Sequence, residues 1–448
     1  MKSTWPIHSS SASDTMQQPT SPYRYPHLAD NSIRVLHLMP SADQNAPIRC
    51  KMTHCPLPDV PGQNGSSLFE ALSYTWGSGA TVRSVFVVEQ NDWGFGSVFK
   101  LDITVSLHEA LVRLRDPCFE RLIWADAICI NQGDRDETER QVRIMERVYA
   151  SASRVLVWLG NDDAGSTGIN ALERLRMVAA GAEPTSEDSL TLSRLLERPW
   201  FTRMWVLQEV TAARHILMIY GSSTIDGQAF CLGLEPLLPL VEDQSLQWLA
   251  RSTAQLMQGA ALRPRPALRH HRSESPGIRP LGELIDMFHD RKATKAHDKI
   301  YALLGMCTDN VLDQFGPDYS VSWSELFRRL ILYLLGNNIT VVKTWEATSS
   351  TDFAVVEVTA RLMGEVVSVG EPAAPPEGTR LVTVGPLRGP YGCGNTSKQW
   401  IFRSSSDFVR KGDFVCAVEG RPASMIVRYH NADYFSIISI MGPAADSM

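Results

Sequence analysis

Cysteine is scarce in this chain, and no two cysteines are spaced as a metal-binding or redox pair. Eight cysteines are scattered over 448 residues, and none of them forms a C-x-x-C motif. The nearest approach to a metal site is CKMTHC at 50–55, but Cys50, His54 and Cys55 have no second ligand pair nearby to complete a tetrahedron. A disulfide scaffold is therefore excluded, and we expect reduced structural thiols and no bound metal.

Long apolar runs and strong net charge are also missing. No uninterrupted apolar run reaches the ~18 residues needed to cross a bilayer. The N-terminal stretch MKSTWPIHSSSASDTMQQPT has no apolar core of the kind found in signal peptides. A formal net charge of −6 is too weak over this length to indicate attraction to nucleic acid. We therefore expect a cytoplasmic protein with no membrane span and no nucleic-acid partner.

The common nucleotide and hydrolase signatures are absent as well. The chain has no G-x-x-x-x-G-K-[ST] loop, no H-E-x-x-H pair and no G-x-S-x-G elbow. GSGATV at 77–82 begins like a dinucleotide fingerprint but lacks its third small residue. Conventional kinase, metalloprotease and serine-hydrolase functions therefore have no support.

Apolar strands alternate with amphipathic helices in the first half of the chain, which predicts an α/β fold. The predicted strands are 33–40, 68–77, 84–88, 121–130, 154–160 and 215–221. The predicted helices are 103–116, 134–153 and 193–213. Asp134 and Glu137 have capping-box spacing at the start of the second helix, and Pro199 suits a first-turn position within the third. The alternation favours a mostly parallel sheet flanked by helices.

Composition divides the chain into four parts. Residues 1–32 are rich in Ser, Pro and Thr and predict a disordered tail, and the α/β segment follows at 33–230. A helical region at 231–350 contains a basic, proline-rich linker at 263–280. Short Val, Ile and Phe runs at 351–448 predict a β-rich C-terminal domain.

WVLQEV at 205–210 places a carboxylate, Glu209, at the end of an aromatic stretch. On a continuous helix Phe201, Trp205 and Glu209 lie on one stripe, where burial raises the pKa of an acid unless a cation compensates. Glu209 is then either half of a buried ion pair or a functional carboxylate at the carboxyl edge of the sheet, and the sequence weighs the two equally. The candidate cations for a pair are Arg203, Arg214 and Arg140.

Other polar and aromatic residues near strand ends have two interpretations each. Asp126, inside a predicted strand, is more simply a satisfied core aspartate than a ligand contact. Asn131 and Gln132 more simply shape a turn. Trp76 and Gly77 form either a packed aromatic beside a glycine bend or a surface on which a flat ring can stack.

Three blocks of the sequence together resemble the heterokaryon-incompatibility (HET) domain of filamentous fungi. They are ALSYTWG (71–77), LIWADAICINQGDRDETERQVRIMERVYASASRVLVWLG (122–160) and RPWFTRMWVLQEV (198–210). HDKIYALLGM (297–306) resembles the segment that commonly follows this domain. One departure is Ala125, where the family usually has isoleucine. The resemblance implies an effector of fungal allorecognition that triggers programmed cell death.

HET domains are in turn distantly similar to TIR domains, which implies a TIR-like, flavodoxin-like sheet. Ser73 and Tyr74 match the Ser-[Tyr/Phe] strand end of TIR domains, and Trp205, Leu207 and Glu209 match their W-x-L-x-E motif. Because catalytic TIR domains need this glutamate to cleave NAD⁺, the resemblance implies Glu209 as the catalytic residue. It also implies NAD⁺ as a substrate rather than a tightly bound cofactor. The candidate NAD⁺-binding residues are Ser73, Tyr74, Trp76, Gly77, Asp126 and Trp205.

The sequence leaves open whether this protein is an enzyme. A non-catalytic signalling or scaffold module, which recruits protein partners or self-associates through the HET surface, fits the same motifs. A divergent paralogue without an incompatibility role also fits them. The W-x-L-x-E motif permits catalysis and does not establish it.

Overall fold

The computed structural model describes most of the chain. The described residues are 21–58, 69–77, 81–90, 96–162, 170–261, 278–309, 311–336, 339–345, 353–372, 380–387, 400–404, 408–418, 424–430 and 435–441. Most of the predicted tail (1–20) and most of the predicted linker (262–277) lie outside them. The rest of that tail packs onto the protein, because Tyr23 and Leu28 are buried.

A nine-stranded sheet forms the centre of the protein. Its strands are β1 (Ser32–Leu38), β2 (Arg49–Pro56), β3 (Glu70–Ser73), β4 (Val82–Gln90), β5 (Gly96–Thr104), β6 (Arg121–Trp124), β7 (Val155–Trp158), β8 (Ile216–Tyr220) and β9 (Ser223–Asp226). Their order across the sheet is β5-β4-β2-β1-β6-β3-β7-β8-β9. The central strands β6, β3, β7 and β8 are parallel, as predicted.

The prediction of a mostly parallel sheet is wrong outside those four strands. Strand β1 pairs antiparallel with both of its neighbours, β2 and β6. The outer pairs β4–β5 and β8–β9 are antiparallel too, although β2 and β4 pair parallel over a short stretch. Consecutive strands joined by a short connection can only pair antiparallel, whereas parallel pairing needs a long crossover. The sheet is therefore mixed.

Helices cover this sheet and continue beyond it. They are α1 (Val105–Leu114), α2 (Asp126–Cys129), α3 (Arg135–Ser151), α4 (Ala171–Ala179), α5 (Asp188–Leu196), α6 (Val206–Ala212), α7 (Gly227–Leu237), α8 (Gln244–Ala261), α9 (Leu281–Phe288), α10 (Asp298–Leu304), α11 (Leu312–Phe315) and α12 (Trp323–Leu335). Short 3-10 helices lie at Pro199–Thr202 and Leu238–Leu240. Among the described residues, no helix has the length and apolarity that a membrane span requires.

Two predicted elements are divided in the structure. The run 121–130 was predicted as one strand, but β6 ends at Trp124 and the helical turn α2 begins at Asp126. The run 193–213 was predicted as one helix, but it becomes α5, a 3-10 helix and α6. Arg198 is extended because a residue before proline disfavours the helical conformation, and Arg203 is extended again.

Helix α3 is fixed to the sheet by a buried ion pair. The side chain of Asp134 caps α3 by accepting from the backbone N–H of Glu137 (3.0 Å), as the spacing predicted. The Glu137 carboxylate does not complete the capping box. Instead it accepts two bonds from Arg34 on β1 (2.5 and 2.9 Å) and one from the backbone of Asn131 (2.7 Å). A paired arginine and glutamate, both almost fully buried, join these elements at one point.

One hydrophobic core extends well past the predicted boundary at residue 230. The same buried cluster contains Leu36 on β1, Phe230 on α7, Phe288 on α9, Leu303 on α10 and Leu330 on α12. The helices of the predicted helical region therefore pack into the core of the α/β segment and do not form a core of their own.

The C-terminal part is β-rich, as predicted. Strands β10 (Ile339–Trp345) and β11 (Phe353–Val358) form a two-stranded ladder. A six-stranded antiparallel sheet follows in the order β14-β13-β12-β15-β16-β17. Its strands are β12 (Ala360–Pro372), β13 (Arg380–Gly385), β14 (Trp400–Ser404), β15 (Phe414–Val418), β16 (Ser424–Tyr429) and β17 (Phe435–Met441). One small core lies within this sheet, and a second joins the sheet to Leu335 of α12 and Ile339 of β10.

The shared core predicts how truncated chains fold. A chain that ends at residue 230 lacks α8 and α10, which pack against α6 in the main core, so we expect it to lose cooperative thermal unfolding and near-UV circular dichroism. A chain that ends at residue 336 keeps the main core and should retain both. Equal, sharp unfolding transitions in the two truncations would contradict the shared core.

Candidate functional site

The carboxyl ends of β3 and β6 bring two polar side chains to one edge of the sheet. Ser73 is the last residue of β3, and Asp126 begins α2 directly after β6. Because β3 and β6 are parallel neighbours, their carboxyl ends lie side by side, where α/β proteins commonly bind ligands. Helix α6 adds Glu209, and the segment before it adds Trp200 and Arg203.

Glu209 is enclosed by donors from other elements. Its carboxylate is 1% exposed and accepts a hydrogen bond at Oε2 from the hydroxyl of Ser73. The indole N–H of Trp200 donates to the same Ser73 oxygen (2.7 Å), so Ser73 links the carboxylate to a buried tryptophan through two hydrogen bonds. Arg203 Nη1 lies 3.9 Å from Glu209 Oε1 and also donates to the carbonyl of Tyr74. Arg203 is thus the ion-pair partner among the three predicted candidates.

Opposing influences act on the pKa of Glu209. Burial raises its pKa from 4.5 to about 7, and nearby Asp126 raises it too, while Arg203 and the Ser73 hydroxyl act in the opposite direction. Burial works against the charge of Arg203, but Glu209 and Asp126 raise its pKa above the ordinary value. The hydroxyls of Tyr74 and Tyr149 complete the surroundings, and burial raises the pKa of both.

Asp126 connects this buried carboxylate to the surface. Its Oδ2 accepts from the indole N–H of Trp76 (2.9 Å) and lies 4.0 Å from Arg203 Nη2. Its Oδ1 accepts from the backbone of Ala127 (2.8 Å), so Asp126 is the satisfied aspartate that the sequence favoured. It is the first residue of a helical turn, however, and does not lie inside a strand. Its position beside Trp76, which is 37% exposed, also leaves it near solvent.

Trp76 and Gly77 lie beside an open cleft. Gly77 has φ +77°, a left-handed conformation that glycine adopts easily, so the predicted glycine bend is confirmed. The cleft has a volume of about 390 Å³ and is lined by Trp76, Gly77, Thr81, Arg83, Thr104, Val105 and Ser106. Trp76, which is 37% exposed, thus forms part of the wall of this cleft.

Asn131 and Gln132 shape the turn before α3, as predicted. The Asn131 side-chain oxygen accepts from the backbone of Gly133 (3.2 Å). The Gln132 side chain donates to the backbone carbonyl of Asp126 (3.0 Å). Both side chains are thus engaged with backbone groups of the turn and its neighbour α2.

Trp205 does not join the Glu209 cluster. Its side chain hydrogen-bonds to Asp298 at the start of α10. The predicted aromatic stripe is wrong because the chain from Phe201 to Glu209 is not a continuous helix. Phe201 is instead fully buried in the 3-10 helix, where its ring packs edge-on against Trp200 (5.0 Å). Among the other predicted binding residues, Ser73, Tyr74 and Asp126 lie beside Glu209 or Arg203. Trp76 joins them through Asp126, and Gly77 lines the cleft beside Trp76.

Sequence reasoning missed Trp200. A buried indole N–H usually has an acceptor, so a tryptophan directly after a helix-starting proline was a detectable signal. Arg140, another predicted ion-pair candidate, lies 3.6 Å from Asp30 instead. Within the described ranges, no cluster of three or more His, Cys, Asp or Glu side chains has the arrangement of a metal site.

Residues 69–209 match the model of the family described as heterokaryon incompatibility protein (HET). The chain therefore carries a HET domain, as its sequence blocks predicted, and the whole Glu209 cluster lies within the matched segment. Heterokaryon incompatibility protein 6, OR allele, of Neurospora crassa is 25% identical over 346 residues, which cover 65% of this chain and 49% of that protein. The chain thus spans about half the length of this relative. No solved structure matches, so the TIR-like topology stays a prediction.

The raised pKa of Glu209 predicts that the stability of the protein depends on pH. Its pKa of about 7 in the folded protein lies above the ordinary 4.5, so the folded state binds the proton more tightly between these values. The free energy of unfolding should therefore fall as pH rises from about 4.5 to 7, by roughly 3 kcal/mol. Glu209→Gln removes this fall and should melt no lower than the wild type at pH 8.

Arg203 explains why the variant should stay stable. It keeps Asp126 and the carbonyl of Tyr74 as partners after Glu209 loses its charge. Thermal melts of both proteins from pH 4.5 to 8.5 measure the difference. A variant that melts many degrees lower at pH 8 would instead indicate an ion pair with a large net stabilisation.

Proposed function

We propose that this protein is a heterokaryon-incompatibility effector of fungal allorecognition that triggers programmed cell death. The HET match over residues 69–209 supports this role, as does the name of the Neurospora crassa relative. One observation supports a particular location for this activity: Ser73, Asp126 and Glu209 lie together at the carboxyl ends of β3 and β6.

We further propose that this site cleaves NAD⁺. In that reaction the bond between ribose C1′ and the nicotinamide nitrogen breaks, and nicotinamide leaves with the bonding electrons. A water oxygen bonds to C1′, and the proton that this water loses passes to the solvent. Positive charge develops on the ribose as the bond breaks. An anionic Glu209 would stabilise this charge, because a fixed opposite charge in a site that excludes water acts strongly on a transition state. A pKa of about 7 keeps a substantial anionic fraction at neutral pH.

Access to Glu209 depends on Arg203. The carboxylate is almost fully buried, whereas the Arg203 side chain is 22% exposed and lies between Glu209 and Asp126. A substrate ribose can approach Glu209 only after the Arg203 side chain swings towards solvent. Asp126 then offers a carboxylate to ribose hydroxyls, and Trp76 offers its exposed ring to nicotinamide or adenine.

The same enclosure favours a second candidate, a non-catalytic HET module that acts by recruiting partners. One Glu209 oxygen accepts from Ser73 and the other faces Arg203. In this second candidate, the Glu209 carboxylate has a structural role alone: it joins β3, α6 and the segment before α6. In that case the exposed surface around Trp76 would contact other proteins, including further copies of this chain.

Glu209→Gln separates these candidates. Induced expression of the wild-type chain in fungal cells should reduce viability and cellular NAD⁺. Glutamine keeps the volume of the side chain but cannot supply negative charge, so we expect the rate of NAD⁺ loss to fall on the order of 10²-fold or more, and cell death to stop. Cell viability and NAD⁺ content after induction are the two measurements.

Glu70→Gln is the matched control. Glu70 is a buried carboxylate at the start of β3, the end of that strand opposite to Ser73, and it pairs with Arg121 (2.6 Å) and Arg154. This variant should kill cells and deplete NAD⁺ like the wild type. Wild-type killing without NAD⁺ loss would favour the recruiting module, and a stable, fully toxic Glu209→Gln would contradict the catalytic role. A wild-type chain that leaves viability unchanged would contradict the incompatibility role.

A further inference from the structure

Arg291 is a buried arginine outside the HET match whose guanidinium binds uncharged oxygens. It is 1% exposed and donates to the backbone carbonyl of Phe201. It also donates to the Leu249 carbonyl (3.1 Å) and to the hydroxyls of Ser252 (2.7 Å) and Thr253 (3.0 Å) on α8. Burial lowers its pKa to about 10. Burying a cation among uncharged partners lowers stability, so the presence of Arg291 here indicates a role in positioning other groups.

The residue after Arg291 binds the same segment through its backbone. The N–H of Lys292 donates to the carbonyl of Thr202 (2.7 Å), and the carbonyl of Lys292 accepts from the N–H of Met204 (2.9 Å). Arg203 and Lys292 thereby form a short parallel bridge. Residues 291–292 therefore hold the backbone of residues 201, 202 and 204.

That backbone carries the side chains that reach Glu209. Trp200 lies at its start and Arg203 within it, in the extended stretch between the 3-10 helix and α6. The Arg203–Glu209 distance of 3.9 Å is already long for an ion pair. A shift of about 1 Å in this segment would therefore separate the two charges, and functional groups generally need positioning within about 0.5 Å.

We propose that Arg291 is a positioning residue of the Glu209 cluster, which fixes the segment 201–204 and so sets how closely Arg203 approaches Glu209. The inference concerns the site of the proposed function. It is tested on the folded protein without any activity measurement, so its failure is distinguishable from failure of the incompatibility or NAD⁺ proposals.

Trp200 supplies the readout. Its indole donates to Ser73, which donates to Glu209, so a fluorine on this ring should sense the protonation of the carboxylate. Full-length protein labelled with 5-fluorotryptophan contains 11 labelled residues, and Trp200→Phe assigns the resonance. Its chemical shift should titrate near neutral pH, and Glu209→Gln should abolish that titration.

Arg291→Met should raise the midpoint of this titration by about one pH unit. An opposite charge within about 4–6 Å lowers the pKa of an acid by at least that amount, and the variant lets Arg203 move away. Arg291→Lys keeps a cation but offers fewer donors, so it should give a smaller upward shift. An unchanged or lower midpoint in a folded variant would overturn the proposal.

Arg115→Met is the matched control. Arg115 is also buried, and its guanidinium binds the backbone carbonyls of Asp43, Gln44 and Ala46, away from the Glu209 cluster. Its loss should lower stability without moving the Trp200 midpoint, and an equal shift in this control would count against the proposal.

A second variant covers the case in which neither Arg291 variant folds. Ser252→Ala combined with Thr253→Val keeps Arg291 and removes two of its acceptors. The same upward shift is then expected, and its absence overturns the proposal.

Discussion

The buried carboxylate of Glu209 is the constraint on which the arrangement of this domain depends. Removing a carboxylate from water is costly, and donors from several elements must converge to offset that cost. Ser73 must lie at the end of β3, Trp200 in the 3-10 helix and Arg203 in the stretch before α6. These elements are far apart in sequence, so the single acid determines how the end of the sheet meets the helices that follow.

The parts of the fold that depend on local pattern were predictable. The apolar-rich strand β1, the continuous apolar run of β7 and the capped, amphipathic α3 needed no distant contact to be recognised. The antiparallel direction of β1 was not predictable, because it depends on pairing with β6 about ninety residues away. The break between β6 and α2 was hidden as well, since an apolar run has no periodicity that separates a buried strand from a buried turn.

The candidate site was predicted in part for a similar reason. Ser73 was implied by the resemblance to TIR domains, and Asp126 stood out as an acid within an apolar run. Trp205 was assigned to the site from the W-x-L-x-E resemblance, and helical spacing placed it on one stripe with Glu209, but the chain is extended at Arg203. Pro199 signals one interruption of that helix locally, whereas the second coincides with a bridge to Lys292 that no local pattern reveals.

The packed core extends beyond the residues of the family match, and some of the residues outside the match support the candidate site. The match ends at residue 209, yet α9 and α10 lie in the same core, and Arg291 and Lys292 in the connection between them hold the segment that carries Arg203. Helix α9 also receives a hydrogen bond from the C-terminal sheet, where Ser439 donates to Asp286 (3.0 Å). Arg203 lowers the pKa of Glu209, and in the proposed function its movement gives a substrate access to that carboxylate. Any HET function exercised at this edge of the sheet, catalytic or recruiting, therefore depends on helices that the family match does not include.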